Sequence, residues 1–180
     1  MDADAEEGFR EFVTARFRPL RTLAYMTCGD WHRAEDVVAD SLSRLYLKWG
    51  SVAAPDHYAR TMVVRAALGE RRRPWRRERP VGESFPEVPG PDRSGDVDER
   101  LRLRAALRRL PPRQRATLVL RFLEGLSVEE TAEILGCSVG TVKSQTSRGL
   151  DGMRAVLSAE EMSELSQEGN DHVVSVRGRG

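Results

Sequence analysis

The stretch Ser127-Val-Glu-Glu130-Thr-Ala-Glu-Ile-Leu-Gly136-Cys-Ser138-Val-Gly-Thr-Val-Lys143-Ser-Gln-Thr-Ser-Arg148-Gly-Leu150 decides the fold. Ser127 followed by Glu130 is a capping box, which predicts a helix start at that point. Val128, Ala132, Ile134 and Leu135 form one short apolar stripe at helical spacing. Gly136 suits the left-handed conformation that stops a helix, and Ser138 can cap the next one. In that second helix Val139, Val142, Thr146 and Leu150 fall inward, with Met153 continuing the stripe. Thr141, Lys143, Ser144, Ser147 and Arg148 are left facing out. Two short helices around a glycine turn, the second polar and cationic outside, suit a recognition helix in a DNA major groove. Small hydroxyls, Gln145 and two cations can serve both phosphates and base edges. The plainer alternative is a helical hairpin with a solvated face.

The 180 residues suffice for one ordinary domain or two small helical ones. No apolar run is long enough to span a bilayer, and the acidic start Met1 to Glu7 is unlike a secretory signal, so a cytoplasmic protein is expected. Cys28 and Cys137 lack any ligand or redox spacing and read as free, buried thiols. His32, His57 and His172 stand in no metal or triad pattern, so no cofactor, metal, small-molecule substrate or catalytic activity is expected. The net charge of +1 averages strong local blocks. Arg65 to Arg79 is basic, Glu83 to Glu99 mostly acidic, and Arg100 to Arg121 holds eight arginines and no carboxylate. Segregation of this kind fits a chain that meets nucleic acid on some faces only.

Working outward towards the N-terminus, Phe9, Phe12, Val13, Phe17, Leu20, Leu23 and Ala24 predict an amphipathic helix over 7–28, with Pro19 able to kink it. Asp30 can cap a second helix with an inward stripe of Ala34, Val37, Val38, Ser41, Leu42, Leu45, Tyr46 and Trp49. Its outer face carries Glu35, Asp36, Asp40, Ser43, Arg44 and Lys48. Gly50 to Pro55 reads as a loop, and Asp56 can cap a third helix to about Arg73. That helix turns Tyr58 or Ala59, Met62, Val63, Ala66 and Ala67 inward, and ends in cations interleaved with Trp75. Such a mixture can clamp phosphates and stack on an unpaired base, or Trp75 can cover the end of the bundle.

Residues 80–98, rich in Pro, Gly and carboxylates, read as a flexible linker. A helix resumes over 98–110 with Leu101, Leu103, Ala106, Leu107 and Leu110. Another follows over 112–124, with Ala116, Leu118, Val119, Leu120 and Phe122 available for burial. Ser158 to Glu161 is a further capping box, predicting a short acidic helix to about Gln167 and a disordered end. The expected fold is all-α: two helical domains, 7–79 and 99–157, a linker over 80–98 and a tail over 158–180.

Leu110-Pro-Pro-Arg-Gln-Arg-Ala-Thr-Leu-Val-Leu-Arg-Phe122, with Gly136-Cys-Ser-Val-Gly-Thr-Val-Lys-Ser144, resembles region 4 of bacterial extracytoplasmic-function sigma factors. Ala34-Glu-Asp-Val-Val38, Tyr46 to Trp49 and the arginine-rich helix after them resemble region 2 of the same family, nearest its actinobacterial SigE-like subset. The resemblance spans about residues 7–157, and departs from the usual pattern at Ala39, where Gln is frequent, and near Val64, where Asn is common.

The resemblance implies a dissociable subunit of core RNA polymerase that binds promoter DNA. Region 4 would hold the −35 element through Lys143, Ser144, Ser147 and Arg148, with Thr141 nearer phosphate, and would meet the polymerase flap. Region 2 would meet the polymerase clamp helices through Asp36, Asp40 and Ser43. The loop with Gly50, Ser51 and Val52 would pocket a flipped base of the −10 element, flanked by Tyr58, Arg60, Arg65 and Arg72. The linker would pass near the polymerase active-site channel, and a sequestering anti-sigma protein is a fitting partner. The rival readings are a stand-alone helix-turn-helix regulator and an RNA-binding adaptor using Arg71 to Arg79. The first gives no role to the acidic face of the second helix; the second lacks any RRM or KH signature.

Overall fold

A computed structural model describes the backbone over residues 3–69 and 94–176 and the side chains over 4–69 and 99–159. Among these residues every regular element is helical. The first half holds α1 (Ala3–Cys28), α2 (Trp31–Tyr46), a 3₁₀ turn (Trp49–Ser51) and α3 (Pro55–Gly69). The second half holds α4 (Ser94–Arg109), α5 (Pro112–Leu118) with a π-helical turn at Val119–Leu123, α6 (Val128–Leu135) and α7 (Val139–Val176).

Local chemistry sets the ends of these helices. The Asp30 carboxylate accepts from the Arg33 N–H at 2.9 Å and so starts α2. Asp56, expected to cap α3, lies inside its first turn instead, because Pro55 takes the first helical position, where its missing N–H costs nothing. The freed carboxylate binds Arg16 at 2.9 Å and Arg60 at 3.1 Å. Helix α1 runs through Pro19 without ending. Ser94 to Asp98, assigned to the linker from composition, are helical and open α4. The remaining linker residues and the Trp75 cluster lie outside the described residues, as does Arg72. The separate short helix expected from Ser158 does not form: α7 is continuous to Val176, since no Gly or Pro stands between Met153 and Gln167 to stop it.

Two apolar clusters organise the body. The first joins α1, α2 and α3 through Leu20, Ala24, Tyr25, Val37, Val38, Leu45 and Val63, with Phe9, Phe12 and Trp49 packed at its edge. Phe9 meets Trp49 edge-on at 5.2 Å and Tyr46 at 5.0 Å. Tyr46 is nevertheless 42% exposed, so the inward stripe of α2 ends at Leu45. The second cluster crosses between the halves: Leu23 and Val64 pack with Ala116, Val119, Leu120, Ile134 and Leu135.

In the second half, α7 lies close against α5. A Cβ at Gly149 would stand 3.0 Å from Leu118 Cγ, and one at Gly152 2.7 Å from Leu110 Cδ2. The π turn, marked by the Glu124 N–H donating to the Val119 carbonyl at 3.0 Å, adds a residue to the helical repeat. Val119 and Leu120 are buried, but Phe122 and Leu123 are each 59% exposed, contrary to the burial expected for Phe122.

Candidate nucleic-acid interface

Helices α6 and α7 form the helix-turn-helix that the sequence predicts. The Ser127 hydroxyl accepts from the Glu130 N–H at 3.0 Å, and the Glu130 carboxylate accepts from the Ser127 N–H at 2.7 Å. These bonds hold the Glu130 carboxyl below the usual carboxylate range. Gly136 closes α6 at φ +61°, a left-handed conformation that a side chain would strain. Ser138 then accepts from the Thr141 N–H at 3.1 Å, which starts α7. Val142 is fully buried beneath this turn, with Ala132, Ile134 and Leu135.

The outer face of α7 follows. Lys143, Ser144, Ser147 and Arg148 are exposed, and Thr141 is half-buried with its hydroxyl 2.9 Å from Ser138 Oγ. Ser144 donates back to the Gly140 carbonyl at 2.7 Å, which leaves its oxygen lone pairs available outward. Two cations and two hydroxyls therefore share one solvent-facing strip on a helix whose other face is fixed by packing.

On the first half, Asp36, Asp40 and Ser43 are exposed on one side of α2; Asp40 pairs with Arg44 at 2.9 Å and Ser43 donates to the Ala39 carbonyl. Gly50 and Ser51 are exposed in the 3₁₀ turn, and half-buried Val52 packs on the first core. Leu47, next to them, is 83% exposed.

Tyr58 and Arg60 are half-buried and Arg65 is exposed, and all three contact other parts of the chain. Tyr58 is half-buried against the first core. Arg60 pairs with Asp56 and, across to the second half, with Glu124 at 3.4 Å. Arg65 donates to the carbonyls of Ile134 at 2.9 Å and Glu133 at 2.8 Å. His57 lies 3.6 Å from Glu133. Arg65, Leu68 and Gly69 face Pro112, Arg113 and Gln145 across a cavity of about 550 Å³ between the halves.

Sequence reasoning missed Arg115. It is 4% exposed and donates Nε and Nη2 to the Thr27 carbonyl at 3.0 and 2.7 Å. Nearby, Cys28 is half-buried rather than buried; burial pushes its thiol up, and the thiol donates to the Asp30 carbonyl at 3.3 Å. Cys137 is likewise a half-buried free thiol. No group of three or more potential metal ligands occurs among the described residues, and no described helix is long and apolar enough to cross a membrane.

Comparison with known proteins places this geometry. Residues 100–151 match the family model for Sigma-70, region 4. The RNA polymerase sigma-E factor of Streptomyces coelicolor is 34% identical over 161 residues, covering 86% of this chain and 88% of that protein. The ECF RNA polymerase sigma factor SigM of Mycobacterium tuberculosis is 32% identical over 144 residues, 78% of this chain and 72% of its own. Among solved structures, the sigma factor RpoE of Bartonella quintana, crystallised with the anti-sigma factor NepR, aligns with a TM-score of 0.67 at 25% identity, covering 84% of this chain and 98% of that one.

Proposed function

Because this chain belongs to the extracytoplasmic-function sigma factors of RNA polymerase, we propose that it reads a promoter with two separate surfaces while bound to the core enzyme. It is a sigma factor that directs transcription initiation, with core RNA polymerase and promoter DNA as its partners. The observation that carries the assignment of surfaces is the α6–α7 unit. Its turn is fixed by Ser127, Gly136 and Ser138, and its free face presents Lys143, Ser144, Ser147 and Arg148. These four would enter the −35 major groove, with Thr141 at phosphate.

The acidic side of α2, with Asp36, Asp40 and Ser43, would dock on the polymerase clamp helices, while exposed Phe122 and Leu123 suit an apolar contact with the flap. Gly50, Ser51 and Val52 would receive a flipped base of the −10 element. Extruding a base costs about a few kcal/mol of stacking, which a pocket offsets in part. Tyr58, Arg60 and Arg65 would flank the opened strands, with Arg72 beyond the described residues. An anti-sigma protein fits as a regulator, since a relative of this fold is held by one. A stand-alone regulator is not favoured: it leaves the polymerase-facing residues of α2 without a role.

Reconstitution with core RNA polymerase tests the reading. The chain should form a stable holoenzyme and start transcripts only at promoters with a defined −35 and −10 pair. In that holoenzyme Lys143→Ala with Arg148→Ala should weaken promoter binding and lower its salt slope by about 0.9 for each phosphate no longer neutralised. An unchanged slope would place the groove-facing side of α7 elsewhere on the helix.

A further inference from the structure

The cavity of about 550 Å³ between the halves has a lining of unusual make-up. Its volume falls within the range of about 300–1,000 Å³ common to small-molecule sites. The polar part of the wall is Arg65 from α3, Arg113 and Gln114 from α5, and Gln145 from α7. The apolar part includes Leu68, Pro112 and Leu135. Arg65 spends Nε and Nη2 on the carbonyls of Ile134 and Glu133, which anchors its guanidinium and leaves Nη1 uncommitted among the described residues. Arg113, Gln114 and Gln145 make no side-chain hydrogen bond or ion pair with the described residues. No Asp or Glu among the described residues lines the cavity, and the carboxylate of Glu133, the acid closest in sequence to Leu135, lies 3.6 Å from His57.

We infer that this cavity binds a nucleoside polyphosphate. Two guanidinium groups with no carboxylate beside them on the wall favour an anion, and the arginine fork matches phosphate oxygens two at a time. Arg113 is exposed, so its charge stands where a polyanion can reach it. Leu68, Leu135 and Pro112 offer a base ring an apolar surface to lie against. The amides of Gln114 and Gln145 each carry a donor and an acceptor, which match the edge of a base. A bare inorganic anion would leave both amides and the aliphatic wall without a role. Because α3, α5, α6 and α7 all contribute to the lining, the site takes a compact ligand and not an extended duplex. The inference concerns the free chain and does not depend on the promoter-reading assignment above.

Isothermal titration calorimetry of the free full chain with ATP, GTP and inorganic triphosphate, all at one ionic strength, tests it. One of the two nucleotides should bind at least about tenfold more tightly than inorganic triphosphate. Arg113→Gln should weaken that binding about tenfold, with helix content unchanged by circular dichroism. Gln114→Leu should weaken the nucleotide and leave inorganic triphosphate unchanged. Lys143→Ala with Arg148→Ala, on the outer strip of α7, should leave nucleotide affinity unaltered. Absence of binding by both nucleotides overturns the inference. Equal affinity for inorganic triphosphate overturns the nucleoside part and reduces the site to a cationic patch. A folded Arg113→Gln chain of native affinity, or a loss confined to the α7 pair, places the ligand outside the cavity and overturns the site. If Arg113→Gln loses helix, Gln114→Leu decides: native nucleotide affinity in that folded variant overturns the site as well.

Discussion

The core of the first half and the apolar centre of the junction between the halves are both buried, yet the two regions are built from different materials. Between α1, α2 and α3 the contacts are aliphatic and aromatic: Ala34, Val38 and Leu45 are fully buried, and Phe12 meets Trp49 at 5.2 Å. At the junction a smaller apolar cluster is flanked by guanidinium groups on main-chain carbonyls. An apolar core that opens exposes surface that water does not reward. Carbonyls and arginines that separate can each bond to water, so the net contribution of such bonds is modest, about 1.5–3 kcal/mol where a charged group is involved. The first region depends on apolar burial, the second on charge-assisted hydrogen bonds beside a smaller apolar cluster.

Substitutions can break this contrast. Leu45→Ala should cost the most, about 2–5 kcal/mol of unfolding free energy, because it leaves a void among α1, α2 and α3. Urea denaturation followed by circular dichroism reads it, and a loss similar to that of a surface change would erase the distinction. Arg115→Ala should cost less, about 1–3 kcal/mol, from the unpaired Thr27 carbonyl. Its unfolding should also become less cooperative as the halves uncouple; a single transition of native steepness would show the junction to be as integral as the core.

Ser127→Ala sharpens the contrast from within the second half, since α6 supplies the carbonyls that Arg65 binds. Loss of the cap should cost about 1 kcal/mol at neutral pH. The Glu130 carboxyl is held below its unfolded value by the Ser127 bonds, so the box contributes above the ordinary carboxylate pKa and fades as pH falls through the lowered one. The deficit of the variant should therefore narrow in acid, and a deficit independent of pH would remove Glu130 from the account.

Features decided within a turn or two were readable in the chain. The Ser127–Glu130 box, the Gly136 stop, the Asp30 cap and the outward set on α7 each depend on neighbours in sequence. Arg115 was not readable: it sits in a run of eight arginines that looks uniformly solvated, and only the arrival of Thr27 from α1 turns it inward. Phe122, one of several apolar residues available for burial in 112–124, is exposed because the π turn from Val119 shifts the residues after it in phase. Arg60 and Arg65 announced their charge but not their partners, Glu124 and the α6 carbonyls, which lie far along the chain.

The bare patches at Gly149 and Gly152 bear on how promoter sequence is presented. With Leu118 and Leu110 seated where side chains would otherwise stand, α7 packs closely on its neighbours at these two glycines. A methyl group there would press on Leu118 at 3.0 Å and on the tip of Leu110 at 2.7 Å, so Gly149→Ala or Gly152→Ala should disturb the seating of α7 and with it the strip from Lys143 to Arg148. On the proposed reading, the aim of that strip is set in part from behind, by the packed side of α7.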